Sequence, residues 1–264
     1  MSHALQKKWL NPDRKRSTSL LVHSREMFAF VGPLGLGTVH RHPVPACLFA
    51  LDGPFRIRLG EQPWQTTFGA LIPANIAHEF DGAEQQVAVC YLDPFRAQHR
   101  LHGIHIQLAD QQAPWCRLGR RLAADLAEAA DPASASTILV RALQESIGKQ
   151  AGWAAIKRPD EPRFAALEHG LESSNSSFDL TDAAREACLS PSRFSHRFTA
   201  LTGVNWTRYS NWQRLLHCSS QLVTSAQPLT AIAMDRGYAN PSHLSTAFRN
   251  SFGVAPSQIR PKCT

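Results

Sequence analysis

The first hundred residues contain short runs in which apolar and polar side chains alternate, separated by turns rich in Gly and Pro. The run PFRIRLG is typical, because Phe55, Ile57 and Leu59 alternate with two Arg residues. A period of two gives a strand one buried and one solvated face. Repeated over residues 20–101, this pattern predicts a small antiparallel β-barrel or sandwich.

Apolar residues follow a helical period after the predicted strands end. Over residues 115–155, two such stretches flank the Asp131-Pro132 break and predict an antiparallel helix pair. The pair could form a dimer interface, or it could only cover one end of the predicted barrel. Two Pro residues then stiffen residues 157–162, which we expect to be a linker.

A fifteen-residue pattern occurs twice near the C-terminus, fifty positions apart. SPSRFSHRFTALTGV begins at Ser190, and NPSHLSTAFRNSFGV begins at Asn240. Each copy has a small polar cap, Pro at the first helical position, apolar residues four positions apart and a Gly stop, which together predict a short helix. A second apolar-periodic stretch precedes each copy, beginning at Leu180 and Leu229. Helix, tight turn and capped helix predict two helix-turn-helix units, although plain helical hairpins have the same pattern.

One long helix is predicted between the two units, from Trp206 to Ser225, with Tyr209, Leu215 and Leu222 at helical spacing. A rigid helix of this length would let two recognition helices enter successive major-groove segments, roughly 34 Å apart along one face of a duplex. A single chain would then span about two turns of DNA.

The distribution of charge along the chain distinguishes a nucleic-acid-binding domain from an ordinary helical bundle. Residues 190–264 carry eight basic residues and one acid, a net charge of +7 that equals the formal charge of the whole chain. Residues 17–189 hold 15 basic and 19 acidic residues, and the first sixteen residues add +4. A field of one sign on a compact helical domain attracts a polyanion, with an affinity that falls steeply as salt rises. Two recognition helices with this charge indicate double-stranded DNA as the partner.

The overall composition fits a soluble protein of two domains. The chain has 264 residues, of which 43% are hydrophobic, and no apolar run approaches the length of a membrane span. The basic N-terminal residues lack the apolar stretch of a secretory signal, so we expect a flexible arm or a minor phosphate contact there. Six scattered Cys residues without paired spacing fit a reducing cytoplasm.

The pattern from about Arg163 onward resembles the DNA-binding domain of the AraC/XylS family of bacterial transcriptional regulators. The match is densest in IAMDRGYANPSHLSTAFRNSFGVAPSQIR, which has the family's Ile-Ala, Gly-aromatic, Phe-Arg and Phe-Gly-x-x-Pro elements in order. The first unit matches more loosely, because Cys188 occupies the position of the usual turn Gly. Trp206 stands where a Pro commonly begins the long helix.

The resemblance implies an α+β chain in three parts. Residues 1–105 would form a cupin-like, effector-sensing antiparallel barrel, and residues 106–158 a helical dimerisation segment and linker. Residues 159–264 would form an all-α domain with two helix-turn-helix units. The resemblance further implies a homodimer, RNA polymerase as a partner, and activation more often than repression.

Candidate DNA-binding residues follow from helix geometry, because the N-terminal part of a recognition helix faces the groove while its apolar stripe faces the core. In the first unit they are Ser192, Arg193, Ser195, His196, Arg197 and Thr199. In the second unit they are Ser242, His243, Ser245, Thr246 and Arg249. Arg193 and Arg249 could bind guanine through two hydrogen bonds or only hold phosphates, and Arg197 could bind a phosphate or pack on the long helix.

Two fragments of the predicted barrel resemble the half-motifs of the cupin fold, namely HRH at residues 40–42 and GALIPANIAH ending at His78. In metal-binding cupins these His residues ligate one ion, usually with a Glu that is absent here, because the first motif continues into Pro43, Val44, Pro45, Ala46 and Cys47. His40, His42 and His78 are therefore candidates for an effector pocket or for the ligands of a divalent metal. We expect an organic effector or internal hydrogen bonds rather than a metal.

The predicted function is effector-responsive, sequence-specific regulation of transcription, with no catalytic activity. One alternative is a metal-dependent cupin enzyme whose helical tail localises it, and another is a constitutive DNA-binding protein with a structural barrel. Catalysis needs an open metal position and a substrate pocket, and the sequence shows neither clearly.

Overall fold

The computed structural model describes residues 20–23, 27–95, 106–109, 114–129, 131–147, 167 and 179–260. Its strands form an N-terminal sheet, and its helices follow them along the chain. The basic residues at positions 1–16 and the predicted linker at residues 157–162 lie outside the described residues. None of the described helices is both long enough and apolar enough to span a membrane.

Eight antiparallel strands form one sheet in the described part of the chain. They are β1 (Leu20–His23), β2 (Met27–Leu36), β3 (Ala46–Ala50), β4 (Phe55–Leu59), β5 (Gln65–Thr67), β6 (Gly69–Ile72), β7 (His78–Leu92) and β8 (Gln107–Ala109). The strand order is β1-β2-β7-β3-β6-β8, and β4 pairs with β7 and β5. The predicted antiparallel architecture is confirmed. The sheet continues past the predicted domain boundary at residue 105, because β8 pairs with β6.

The burial of β4 follows the alternation seen in its sequence. Phe55, Ile57 and Leu59 are buried, whereas the two Arg residues between them are exposed or half-buried on the other face. Arg58 is half-buried and pairs with Glu79 on the neighbouring strand at 2.6 Å, and a pair near the surface of this kind adds about 1 kcal/mol of stability. The apolar face therefore holds this strand in place.

Two helices, α1 (Pro114–Ala127) and α2 (Pro132–Ile147), pack on each other and on the sheet. Their apolar stripe, which includes Leu122 and Leu139, is buried in one cluster with Phe49. A Cβ on Gly119 would lie 2.2 Å from the carbonyl oxygen of Ala50, so Gly at this position allows α1 to approach β3 closely. The helix pair thus covers the sheet, and dimer formation through it stays a prediction. We call β1–β8 with α1 and α2 the sheet domain.

Six helices form the C-terminal helical domain over residues 179–260. They are α3 (Leu180–Glu186), α4 (Pro191–Thr202), α5 (Trp206–Thr224), α6 (Leu229–Asp235), α7 (Pro241–Phe252) and α8 (Pro256–Ile259). Helices α3 and α4 are the first predicted helix-turn-helix unit, and α6 and α7 are the second. The long helix α5 ends one residue before the predicted Ser225, which is its C-terminal cap.

Helix α5 belongs to the cores of both units. Near its N-terminus, Trp206 and Tyr209 pack in the first core with Phe198 of α4. In its second half, Leu215 and its neighbours pack in the second core with Phe248 of α7. Because α5 supplies apolar side chains to both cores, it joins the two units directly.

Candidate nucleic-acid interface

The two recognition helices, α4 and α7, begin with the same capping arrangement. The Ser190 hydroxyl accepts a hydrogen bond from the Arg193 N–H at 3.4 Å. The Asn240 side-chain oxygen accepts one from the His243 N–H at 2.8 Å. Pro follows each cap, so its missing N–H costs the helix no bond. The predicted start of each recognition helix is therefore confirmed.

The two recognition helices also end in the same way. Gly203 and Gly253 adopt left-handed backbone angles, with φ of 75° and 73°, and stop α4 and α7. Each Gly N–H donates to a carbonyl of the last helical turn at 2.8 Å. Gly203 is exposed, whereas Gly253 is buried beneath the sheet domain. The sequence repeat is thus a structural repeat whose two copies differ in their surroundings.

The turns inside the two units use different residues for the same backbone shape. Gly237 in the second unit has φ of 70°, and Cys188 in the first unit has φ of 52°. In each turn the next N–H donates at 2.9 Å to a carbonyl of the preceding helix. The exposed Cys188 therefore has the same turn geometry as Gly237, at the energetic cost of a left-handed conformation in a residue with a Cβ.

The predicted base-reading residues lie on the outer faces of α4 and α7. Nine of the eleven are exposed, while Ser195 and Ser245 are half-buried. The apolar stripe on the opposite face is buried, as Phe198 and Phe248 show with exposures of 0% and 1%. The structure therefore brings each set together on one helix face, as helix geometry predicted, and contact with bases stays a prediction.

A shallow groove of about 710 Å³ runs along the outer face of α4. It is lined by Leu180, Pro191, Ser192, Ser195, His196, Thr199 and Ala200. Arg193 and Arg197 do not line this groove, so the short polar side chains and the two Arg residues occupy different parts of the surface. Neither α4 nor α7 contains an acidic residue, and each contains Arg, so the charged side chains of both helices are positive.

Aromatic contacts orient His243 of α7. Its ring packs edge-on against Tyr238, with ring centroids 5.4 Å apart. The Arg214 guanidinium lies over the other ring of this pair, that of Tyr238, at 5.7 Å from the ring centroid. Sequence reasoning selected His243 but missed these two supporting residues. The only available signal was the aromatic residue that follows the turn Gly.

The three candidate His residues of the sheet domain come together as predicted. Their ring centroids are 4.1 Å apart for His40 and His78, 4.9 Å for His42 and His78, and 6.2 Å for His40 and His42. All three are buried, and each Nδ1 lies within hydrogen-bonding distance of a backbone carbonyl two residues away. Burial lowers the pKa of His40 to about 3 and also lowers the pKa of the other two, so the cluster is neutral near pH 7.

The three His residues were also candidate ligands for a divalent metal ion. Among the described residues, no group of three or more His, Cys, Asp or Glu is arranged to hold a metal ion. The rings instead pack against one another, and His42 also packs edge-on against Tyr91 at 5.3 Å. The Nε2 of His42 is buried without a hydrogen-bond partner in the described part of the chain, which leaves an acceptor for a ligand that carries a donor group.

Comparisons with known proteins agree with this geometry. Residues 183–262 match a family model described as a helix-turn-helix domain. The arabinose operon regulatory protein of Escherichia coli (strain K12) is 30% identical over 89 residues, which cover 34% of this chain and 30% of that protein. The probable transcriptional regulator LumQ of Photobacterium leiognathi is 25% identical over 228 residues, which cover 84% of this chain and 92% of that protein.

A solved structure shares the whole two-domain arrangement. The structure of ToxT from Vibrio cholerae aligns with a TM-score of 0.52 and 13% sequence identity, over 90% of this chain and 100% of that chain. At this identity the alignment shows a shared fold only. The chain spans about a third of the length of the arabinose operon regulators that it matches.

Proposed function

We propose that this chain is a sequence-specific DNA-binding transcriptional regulator of the AraC/XylS type, and that its C-terminal helix-turn-helix domain binds the DNA. The observation that supports this function most directly is the repeated helix-turn-helix unit. Its two recognition helices begin and end in equivalent ways, and both present exposed polar faces on a basic domain. Relatives that are named as regulators of transcription support the same role. A metal-dependent enzyme is not favoured, because the His cluster is not arranged to hold a metal ion.

The spacing of the two units suits one face of a duplex. Helix α5 has 19 residues, which at the rise of an α-helix gives a length of about 28 Å. Equivalent major-groove positions lie roughly 34 Å apart, and the flanking turns supply the remaining distance. Each chain would therefore contact two successive segments of the major groove.

The side chains on the two helices divide into two roles. Short hydroxyls and the His196 imidazole in the α4 groove can exchange hydrogen bonds with base edges, where sequence is read. Arg193 and Arg197 lie beside that groove and suit phosphates, which fix the position of the helix. Arg249 near the end of α7 can reach either kind of group.

The finer part of the proposal concerns regulation. An effector bound in the sheet domain near the three His residues would change how the helical domain engages DNA, in a homodimer that activates RNA polymerase in the bacterial cytoplasm. The support is that His40 touches the second unit, since a Cβ on Gly253 would lie 2.6 Å from its Nδ1. A ligand at the cluster therefore has a short physical route to α7.

The test measures binding of the full-length chain to its own upstream DNA and to an unrelated duplex. Fluorescence anisotropy reports the affinity for each duplex over a salt series. We expect tighter binding to the upstream duplex and a linear fall of log affinity with log salt. Arg249→Ala should weaken binding, while Arg56→Ala on the sheet domain serves as a matched loss of one exposed positive charge. Equal weak binding to both duplexes would contradict sequence specificity.

A further inference from the structure

We infer that the sheet domain fixes the spacing between the two recognition helices, and so restricts the chain to DNA sites of one spacing. This inference rests on the proposed DNA-binding function. It assigns a specificity-determining role to residues that are far from both outer faces. Three sets of contacts between the sheet domain and the helical domain carry it.

The first contact places a sheet-domain side chain in the core of the first unit. Phe95, which follows β7, is only 1% exposed and lies in the same apolar cluster as the core of α3 and α4. Its ring centroid is 5.4 Å from that of Phe198 and 6.0 Å from that of Tyr209. Because Phe198 lies on α4 directly behind the exposed face, Phe95 supports the recognition helix from below.

The second contact joins the sheet domain to the end of α7 through backbone atoms. The Thr38 N–H donates to the Gly253 carbonyl at 2.8 Å, and the Arg41 N–H donates to the Asn250 carbonyl at 3.1 Å. These carbonyls belong to the last turn of α7 and its stop, where an α-helix leaves acceptors unsatisfied. The loop from β2 to β3 therefore caps the second recognition helix.

Apolar packing extends this second contact into the core of the second unit. Phe30 of β2 is buried in one cluster with Leu244 and Phe248, the two core residues of α7. Phe252, the last residue of α7, packs against Tyr91 of β7 with ring centroids 5.5 Å apart. The sheet domain thus holds α7 by its buried face as well as by its end.

The third contact is a buried polar cluster on α5, between the two units. Asp93 is 8% exposed, and its carboxylate accepts hydrogen bonds from the Tyr209 hydroxyl at 3.0 Å and the Gln213 amide at 2.9 Å. The Phe95 N–H also donates to this carboxylate, at 2.8 Å. Hydrogen bonds to a buried charge are strong and directional, so this cluster sets the position of α5 on the sheet domain.

Because the sheet domain contacts both helix-turn-helix units and helix α5 between them, it restricts the motion of one unit relative to the other. Inserting one base pair between two major-groove segments shifts the second segment by about 3.4 Å and turns it by about 35°. A pair of helices held by α5 alone could follow such a change by bending. A pair held at three places by the sheet domain cannot, and the site with the wrong spacing loses contacts at one unit.

Two Gly residues offer a matched pair of variants. Gly253→Ala and Gly203→Ala place the same Cβ on equivalent residues with left-handed φ of 73° and 75°. The two changes therefore carry similar backbone strain. The Cβ at Gly253 would meet the sheet domain, 2.6 Å from His40 Nδ1 and 3.0 Å from the Thr38 carbonyl oxygen, whereas Gly203 is exposed. The difference between the variants isolates the effect of opening the contact.

Hydrogen exchange of the full-length variants, without DNA, measures the contact itself. The amides of Thr38 and Arg41 should exchange slowly in the unaltered chain and in Gly203→Ala, and faster in Gly253→Ala. Unchanged exchange in Gly253→Ala would overturn the inference that these bonds hold α7. Asp93→Asn provides a second way to weaken the contact without adding strain to a recognition helix.

Spacing selectivity is measured with a duplex that the unaltered full-length chain selects from a random-sequence pool. We expect this chain and Gly203→Ala to bind the selected duplex more than about tenfold better than versions with one base pair inserted or deleted between the two contacted segments. In Gly253→Ala and Asp93→Asn this ratio should fall towards one. A preserved ratio in both would overturn the inference. Failure to select any duplex would refute the proposed function and the spacing role with it, while hydrogen exchange would still report on the contact.

Discussion

Replacing Cys188 by Gly should stabilise the protein, because Cys188 holds a left-handed backbone conformation with φ of 52°. This conformation costs a residue with a Cβ roughly 1–2 kcal/mol relative to Gly. The unfolded chain gains about 0.5–1 kcal/mol of entropy when Gly is introduced, which offsets part of the benefit. Cys188 is exposed, so little buried surface is lost. The difference between these two ranges is a net increase in the free energy of unfolding of about 0–1.5 kcal/mol, with a midpoint of roughly 0.75 kcal/mol.

Urea denaturation followed by far-ultraviolet circular dichroism measures this difference. Cys188→Ala is the control, because it removes the thiol but keeps the Cβ, and its stability should stay close to that of the unaltered chain. Gly237→Ala makes the reverse change at the equivalent turn. A Cβ there meets no described atom within 4 Å, so the expected loss of about 1 kcal/mol has a conformational origin.

The comparison between the two Cys188 variants decides the point. Equal stability of Cys188→Gly and Cys188→Ala would refute the argument from backbone strain. If Cys188→Ala were more stable than Cys188→Gly, the thiol rather than the backbone angle would be the unfavourable feature.

Three further predictions concern DNA reading, the domain contact and pH. Arg249→Ala should cost about 1–3 kcal/mol of binding at one base position, measured by competition with single-substituted duplexes, whereas equal loss on every duplex would mean that Arg249 binds phosphate only. Asp93→Asn should lower the free energy of unfolding by about 1–3 kcal/mol in urea titrations, because three donors lose a charged acceptor; an unchanged midpoint would contradict this. Burial lowers the pKa of His40, His42 and His78, so below the ordinary His pKa near 6.5 the unfolded chain takes up protons before the folded chain does. The free energy of unfolding should therefore be highest above pH 6.5 and should fall as the pH drops towards 3. The slope should reach about 1.4 kcal/mol per pH unit for each His, and a flat profile in urea titrations between pH 7 and about pH 4 would refute it.

Local patterns in the sequence predicted the elements that local physics determines. The caps at Ser190 and Asn240 and the stops at Gly203 and Gly253 mark both recognition helices correctly, because capping depends on a few neighbouring residues. The alternation in β4 was likewise sufficient to assign its buried face. The short strand β8 was missed, since three residues carry no readable period.

Contacts between distant parts of the chain could not be read in the same way. Tyr209 belongs to the apolar stripe of the predicted long helix, but nothing local shows that it meets Phe95 across more than a hundred residues. The His cluster was predicted as a cluster through the cupin resemblance, and its proximity is observed. Its contact with Gly253 depends on how the two domains pack, which no sequence period encodes.

The burial of Phe30 and Phe95 within the helix-turn-helix cores has a thermal consequence. Parting the domains would expose these rings to water together with the apolar face of α5 that carries Trp212 and Leu216. Exposure of apolar surface raises the heat capacity, and the driving force that keeps such surface buried weakens on cooling. The hold of the sheet domain on the recognition helices should therefore loosen as the temperature falls, so that spacing selectivity would itself depend on temperature.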